Sequence, residues 1–193
     1  MKTQTKIILA STSPRRQSLL KRIIKEFEII PSNYEEDMTL NLTPSELAKT
    51  LSHGKAAEVA KRKNGIIIGS DTFISFNNKI LGKPHTPKKA KEMLKSLSGK
   101  THEIYTGLTI INTETKQEII DCEITGITFK KLTEREIDEY IETKEPLDKA
   151  GAYALQGLAK KFIIKIEGSR TSAIGLPLEK LSKMLNKMGI KTK

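Results

Sequence analysis

The stretch Ile66-Ile67-Ile68-Gly69-Ser70-Asp71-Thr72 decides the fold class of this chain. Three consecutive β-branched apolar residues, stopped by a glycine and followed by polar residues, are typical of a fully buried strand. Open α/β sheets bind ligands at the carboxyl ends of such strands, and Asp71 is the first charged residue after this one. A carboxylate in that position could bind a divalent metal or accept a proton from an attacking water. The competing interpretation is a turn in which Asp71 caps neighbouring backbone groups.

The patterns on both sides of this strand alternate between strand and helix early and become mostly β in the middle. Before it, we predict strands over residues 6–10 and 27–30 and helices over 15–24 and 43–63, the second opened by the capping box Thr43-Pro44-Ser45-Glu46. After it, we predict a tight turn at 77–78, a helix over 86–99, strands over 102–111 and 118–130, a capped helix over 133–143, a strand over 162–166 and a closing helix over 178–188. This order predicts an α/β protein with a mixed β-sheet flanked by helices. No linker or repeat divides residues 1–193, so we expect one domain.

The composition indicates a soluble globular protein, with 37% hydrophobic and 30% charged residues. The longest apolar runs are a few residues, far below the ~20 needed to cross a bilayer. The apolar stretch over residues 7–10 is also shorter than the ~7–15 residues of a secretory signal. One cysteine, Cys122, excludes an intramolecular disulfide and a cysteine-based zinc site. We therefore expect a cytoplasmic protein with no membrane partner.

The net charge of +11 favours anionic partners without naming one. Nucleic acid is one possibility, since basic surfaces follow phosphates. However, the chain has five Phe, four Tyr and no Trp, which supplies few surfaces on which bases could stack. A solvated lysine-rich surface explains the charge better, so we do not expect nucleic acid to be the partner.

The segment Leu9-Ala10-Ser11-Thr12-Ser13-Pro14-Arg15-Arg16 has the pattern of a phosphate site. A strand that leads through small hydroxyl residues into a helix leaves unpaired N–H groups at the positive end of the helix dipole. Arg15 and Arg16 add forked donors. Because the segment lacks the glycines of a P-loop, a simple helix cap with two solvated arginines is the alternative.

Two further segments could bind a ligand. In Leu81-Gly82-Lys83-Pro84, two residues that shape the backbone flank one lysine, which could neutralise a phosphate or be an ordinary loop lysine. Residues 145–157 show weak apolar periodicity and are typical of a binding loop, in which Gln156 could bind a base edge with its donor and acceptor atoms. A structural loop with an Asp148–Lys149 ion pair is the alternative.

Several common motifs are absent from the sequence. The segment Gly54-Lys55-Ala56 lacks the upstream glycine and the Ser/Thr of a Walker A loop, and the three histidines lack metal-ligand spacing. No nucleophile elbow or dinucleotide fingerprint occurs either.

Six segments together resemble the Maf family of nucleotide pyrophosphatases, in order and in spacing, over roughly residues 7–185. They are the four candidate segments described above, residues 9–16, 69–72, 81–84 and 145–157, together with LSGKTHEIYTG (97–107) and IGLPL (174–178). The resemblance implies a Maf/ITPase-like two-lobed architecture with a central cleft. It implies cleavage of a nucleoside triphosphate between the α and β phosphates, which yields a nucleoside monophosphate and pyrophosphate. It also implies a divalent metal, Mg²⁺ or Mn²⁺, and a homodimer.

Position by position, the resemblance assigns Asp71 as the general base and, with Glu36, as a metal ligand. The residues it assigns to substrate binding are Ser11, Arg15, Arg16, Lys55, Thr72, Lys83 and Gln156. Cations suit this site because a triphosphate carries about four negative charges and its transition state spreads charge over phosphoryl oxygens.

The branch of the family follows from three positions. Arg15, Thr72 and Gln156 match members that resemble dTTP/UTP pyrophosphatases, whereas the branch that acts on 7-methyl-GTP has Trp, Gln and Glu there. We therefore predict hydrolysis of dTTP, UTP and modified pyrimidine nucleotides. The alternatives are a 7-methyl-GTP-type pyrophosphatase and a non-enzymatic basic protein that binds nucleic acid or regulates cell division.

Overall fold

A computed structural model describes residues 6–193, in which seven strands form one mixed sheet. The strands are β1 (Ile7–Leu9), β2 (Glu28–Ile29), β3 (Ile66–Phe76), β4 (Lys79–Leu81), β5 (Thr101–Asn112), β6 (Glu118–Phe129) and β7 (Ile163–Glu167). Their order is β2-β1-β3-β5-β6-β7, and β4 pairs with β3. β1 runs parallel to β2 and β3, while every other pair in this sheet is antiparallel. The predicted mixed sheet is confirmed.

The helices are α1 (Pro14–Leu20), α2 (Pro44–Ala60), α3 (Pro87–Leu97), α4 (Glu134–Glu142), α5 (Arg170–Ile174) and α6 (Leu178–Lys187). Both predicted capping boxes are confirmed. At the start of α2, for example, Thr43 accepts the N–H of Glu46 at 3.3 Å and donates its own N–H to that carboxylate at 2.9 Å. The five-residue α5 and three 3₁₀ turns between residues 145 and 162 were not predicted, since such short elements carry no periodicity. In residues 6–193, no helix is both long and apolar enough to span a membrane.

The central strand differs from the prediction. β3 does not end at Gly69 but continues through Asp71, which pairs with Gly107 of β5. The turn interpretation of Asp71 is therefore wrong, and so is its placement after the carboxyl end of the strand. The long antiparallel partner β5 keeps the polar residues in the ladder. β3 then turns into β4 at Asn77-Asn78, where φ is positive at both residues (50° and 59°), as the type I′ turn of a two-residue hairpin requires.

Two apolar cores lie on one face of β3, separated by polar residues. Ile68 packs with α1 and α6 at one end of the strand, and Ile74 packs with α3 and α4 at the other end. Between them, Ser70 and Thr72 point to the same face because strand side chains alternate. α2 covers the opposite face. The polar interval divides the molecule into two lobes with a cleft between them, as predicted.

Candidate active site

A cleft of about 380 Å³ opens between the two lobes on the Thr72 side of the sheet. This volume lies in the range of roughly 300–1,000 Å³ that small-molecule sites occupy. Five of the predicted site residues line it: Arg15, Arg16, Thr72, Lys83 and Gln156. Three of the five are cations, so the cleft is suited to an anionic ligand.

One wall of the cleft is an open strand edge. On the side of β3 away from β5, β1 pairs with residues 66–68 and β4 with residues 74–76. Within the part of the chain that the structure describes, no strand pairs with residues 69–73 on this side. The Ile66 N–H and Ile68 C=O point towards β1, so the main-chain groups of Ser70 and Thr72 also point into the gap. Ser70 is fully buried, so the unpaired N–H and C=O groups available to a ligand are those of Thr72, which is half-buried and lines the cleft.

Three ionic side chains meet on the α2 side of this edge. The Lys55 ammonium lies 2.7 Å from a carboxylate oxygen of Glu36 and also contacts Asp71. Asp71 is 5% exposed, so its carboxylate is removed from bulk water. A buried charge is tolerated only when it is paired, and Lys55 supplies the pairing.

The close approach of α2 to β5 places Lys55. Gly107 pairs with Asp71, and a Cβ at Gly107 would lie 1.8 Å from the carbonyl oxygen of Ala48. Only glycine allows the helix to pack this closely. Ala48, Ser52 and Lys55 share one helix face because they lie four and three residues apart, so the face that touches β5 also carries the lysine towards Asp71.

The acidic loop before α2 is fixed against the helix. The ring of Tyr34 covers Gly54, where a Cβ would lie 2.3 Å from the ring, and the N–H of Asn33 donates to Glu58 at 2.9 Å. These two contacts hold the loop and set Glu36, two residues after Tyr34, beside the lysine.

Two hydrogen bonds fix the Arg16 guanidinium beside the cleft. Its Nε donates to the carbonyl of Gly175 at 3.0 Å, and its Nη1 donates to the hydroxyl of Ser11 at 3.3 Å. Burial lowers the pKa of Arg16, and the charges of Asp71 and Glu36 oppose that shift. The guanidinium stays charged at neutral pH. The positive charge of Arg16 therefore acts both on the cleft and on the carboxylates of Glu36 and Asp71.

Asp71 and Thr72 lie on opposite faces of the sheet. Asp71 contacts Lys55, whereas the Thr72 hydroxyl lies 3.1 Å from that of Thr106, which in turn donates to the carbonyl of Ser172 at 2.9 Å. Sequence reasoning placed the two neighbours in one pocket. Strand alternation separates their side chains, so a single ligand can contact both only across the open edge between β1 and β4.

The remaining predicted residues reach the cleft from loops. Lys83 follows β4, and Gln156 lies in a turn that the N–H of Gly157 closes by donating to Ala154 at 3.0 Å. Gln156 is exposed, and its side chain has no hydrogen-bond partner among residues 6–193. Its donor and acceptor atoms are therefore free for a ligand.

Sequence reasoning missed two features of the cleft. Asp148 and Lys149 form the ion pair of the structural-loop alternative, at 2.7 Å, but they also line the cleft, which sequence analysis did not foresee. The carbonyl of Gly175 anchors Arg16 across 159 residues of sequence, so no local spacing could reveal this contact. Its one sequence signal is its place in the segment 174–178.

The donor set around Lys55 fits a divalent cation that is held together with a substrate. Oxygens of Glu36 and Asp71 converge on one cationic atom. In residues 6–193, no cluster of three or more His, Cys, Asp or Glu forms a complete metal cage. Mg²⁺ seldom needs such a cage, because it is usually held by one or two carboxylates, waters and substrate phosphates.

Comparison with known proteins supplies the family. The family described as "Maf-like protein" matches residues 6–188. The chain is 48% identical over 185 residues to a dTTP/UTP pyrophosphatase of Carboxydothermus hydrogenoformans (95% of this chain, 99% of the relative) and 47% identical over 181 residues to one of Alkaliphilus oremlandii (93% and 94%). A HAM1 protein from Coxiella burnetii has the same fold, with a TM-score of 0.51 at 13% identity over 95% of this chain and 100% of that one. The chain, matched over almost its whole length by one family, belongs to the Maf family.

Proposed function

We propose that this protein hydrolyses dTTP and UTP between the α and β phosphates and releases a nucleoside monophosphate and pyrophosphate. The observation that carries the proposal is the ionic cluster of Glu36, Lys55 and Asp71 at the open edge of a cation-lined cleft. The names of the relatives, dTTP/UTP pyrophosphatases at 47–48% identity, support the same substrate class.

Cations of the cleft bind the triphosphate. Arg15, Arg16 and Lys83 line the cavity, and Lys55 contacts Asp71 on the other face of the sheet. A triphosphate carries about four negative charges, so several cations are needed to bind it and to stabilise the charge that spreads over phosphoryl oxygens in the transition state. The arginines suit this role because their forked donors match phosphate oxygens.

Asp71 acts as the general base. Its buried carboxylate accepts a proton from the water that attacks the α phosphorus, and Lys55 keeps the side chain in place through their ion pair. The Arg16 guanidinium, fixed by Gly175 and Ser11, stabilises the developing negative charge.

Glu36 and Asp71 would hold the divalent cation, Mg²⁺ or Mn²⁺, together with phosphate oxygens of the substrate. When bound, the cation supplies charge neutralisation at the phosphates. Lys55 contacts one oxygen of each carboxylate, Oε1 of Glu36 and Oδ1 of Asp71, and leaves the second oxygen of each for the cation.

The base end of the cleft favours a pyrimidine. Gln156 offers one donor and one acceptor group to a base edge, and Thr72 lies on the same side of the sheet. A methylated, cationic purine would favour a stacking tryptophan, and the chain has none. The homodimer, the cytoplasmic location and the lack of a nucleic-acid partner stay predictions.

A pyrophosphate-release screen over canonical and modified triphosphates, with Mg²⁺ and with Mn²⁺, tests the proposal. We expect turnover of dTTP and UTP above that of purine triphosphates, and none when both metals are removed by a chelator. A clear purine preference would refute the pyrimidine assignment. No turnover of any nucleotide, together with oligonucleotide binding that weakens steeply with salt, would support a non-enzymatic protein instead.

A further inference from the structure

The turn that carries Gln156 is held at both ends by polar contacts outside the cleft. At its start, the hydroxyl of Tyr153 lies 2.6 Å from Nε2 of His102. At its end, the N–H of Leu158 donates to both carboxylate oxygens of Glu145, at 3.0 and 3.1 Å. We call these two contacts the anchors of the turn. Neither His102 nor Glu145 lines the cleft.

Glu145 is held in place by contacts on both sides of the turn that carries Gln156. Its carboxylate also accepts the hydroxyl of Tyr140 at 2.9 Å. A Cβ at residue 157 would lie 2.0 Å from the Glu145 oxygen, so Gly157 leaves the space that the carboxylate occupies. Within residues 6–193, no lysine or arginine pairs with Glu145. A half-buried carboxylate that is satisfied by N–H and O–H donors alone fixes those donors in place.

His102 supplies the other anchor as a neutral ring. It is 2% exposed and packs edge-on against Phe129, so burial lowers its pKa to about 4. Burial also raises the pKa of Tyr153, which therefore keeps its hydroxyl proton. The Tyr153 hydroxyl can donate to the neutral ring, and this bond holds the first residue of the segment against the core.

We infer that Glu145 is a positioning residue that sets base selectivity by aiming the turn, and with it Gln156, at the pyrimidine. The inference rests on the proposed function. An exposed amide on a free loop samples many orientations, whereas an amide on a turn with both ends fixed has only its own rotamers left to order. Preorganisation of this kind strengthens hydrogen bonds to the matching ligand more than to a mismatched one.

The test compares kcat/KM for UTP and CTP. Their bases have equal size, but a hydrogen-bond donor on the edge of one base stands where the other has an acceptor. We expect Glu145→Ala to lower the UTP/CTP ratio about 3- to 10-fold, the worth of one neutral hydrogen bond. Glu145→Gln keeps an acceptor oxygen for Leu158 and should restore most of the ratio. Gln156→Ala should lower the ratio to a similar extent.

Non-additivity identifies the route of the effect. If Glu145 acts through Gln156, the double variant Glu145→Ala/Gln156→Ala has the ratio of Gln156→Ala alone. Gly157→Ala, which displaces the carboxylate from the other side, should reproduce the Glu145→Ala ratio. Fully additive effects, or a wild-type ratio near one, would overturn the inference while leaving the pyrophosphatase intact.

Glu142→Ala is the matched control. Glu142 is an exposed glutamate at the end of α4, three residues from Glu145, without an ion pair or hydrogen bond among residues 6–193, and we expect the wild-type ratio. Melting temperatures of all variants are measured in parallel. A purely structural role would lower the melting temperature of Glu145→Ala and the turnover of UTP and CTP equally, and that result would overturn the inference. Absence of all turnover by the wild-type chain would instead refute the proposed function.

Discussion

At the scale of single residues, one buried carboxylate has two proposed tasks. Asp71 is assigned both to a metal and to the proton of the attacking water, and its contact with Lys55 is compatible with either. The two tasks differ in what they need. A metal ligand needs negative charge, whereas a base needs a lone pair that can take up a proton. Replacing Asp71 by asparagine removes both the negative charge and the basic lone pair, but it keeps the size of the side chain and one acceptor oxygen.

We predict that Asp71→Asn lowers kcat for UTP by about 10²- to 10⁴-fold, the usual contribution of a positioned general base. Binding of a non-hydrolysable UTP analogue should change only a few-fold, because Arg15, Arg16 and Lys83 remain. Pyrophosphate release gives the first quantity, and calorimetric titration gives the second.

Asp37→Asn is the control for this substitution. Asp37 is exposed in the same acidic loop as Glu36 and bonds only to Thr39 among residues 6–193, so its variant should turn over like the wild type. Near-normal turnover of Asp71→Asn would exclude Asp71 as the base. A large loss of analogue binding would assign it to ligand binding instead.

At the scale of elements, the site depends on how closely α2 lies on β5. This contact places Lys55 beside Asp71, and Gly107 makes it possible. We predict that Gly107→Ala destabilises the protein by about 3 kcal/mol, the upper end of the usual cost of overpacking, since its Cβ would overlap the Ala48 carbonyl. Pyrophosphatase activity should fall with it, because the helix that carries Lys55 must move outwards. Denaturant unfolding and kinetics at a temperature where the variant is folded measure the two effects.

Gly126→Ala is the control for Gly107→Ala. It adds the same methyl group at a strand glycine that no helix of residues 6–193 approaches closely. On β6, a Cβ at Gly126 would lie 3.6 Å from the nearest atom, a Glu167 carbon, which is an ordinary contact. We expect its stability and turnover to stay close to those of the wild type. Equal losses in both glycine variants would contradict the special role of the α2–β5 contact.

The elements that sequence analysis predicted best are those whose signals are local. A capping box such as Thr43 to Glu46 contains its own hydrogen bonds within four residues, and Asn77-Asn78 contains its own turn. The length of β3 depends instead on β5, which lies some thirty-five residues away, so the polar residues around Asp71 were mistaken for the end of the strand. Tertiary pairing outweighed local polarity there.

At the scale of the whole molecule, sheet order creates the cleft. β1 and β4 pair with the same edge of β3 and leave residues 69–73 open between them. No local pattern contains that information, and the cleft was predicted only through the resemblance of six segments in order. The resemblance identified the charged residues, but it could not show that Asp71 and Thr72 point to opposite faces.

The stability of the whole fold depends on keeping His102 neutral. This residue lies in the core of the α3–α4 lobe, and burial lowers its pKa from 6.5 to about 4. Between these two values the unfolded chain binds a proton that the folded chain does not, so unfolding becomes more favourable as the pH falls. The stabilisation is fully present above pH 6.5 and is lost progressively as the pH falls to 4, where the loss amounts to about 3 kcal/mol.

We predict that the free energy of unfolding of the wild type falls between pH 6.5 and pH 4 and that His102→Gln removes most of this slope, because the amide does not titrate but can still accept the Tyr153 hydroxyl. Urea unfolding at several pH values measures the slope whatever the absolute stability of the variant. Hydrogen bonds from Arg62 and Lys130 lower the pKa values of Glu58 and Glu136 to about 2. These two carboxylates therefore lose their charge mostly below this pH window. His53→Gln is the control for the loss of a histidine as such, since His53 is exposed and bonds to Glu118 at 3.0 Å, and an equal loss of slope in this variant would contradict the assignment to His102. If His102→Gln kept the full slope, the acid sensitivity of the fold would have to come from its carboxylates rather than from this buried ring.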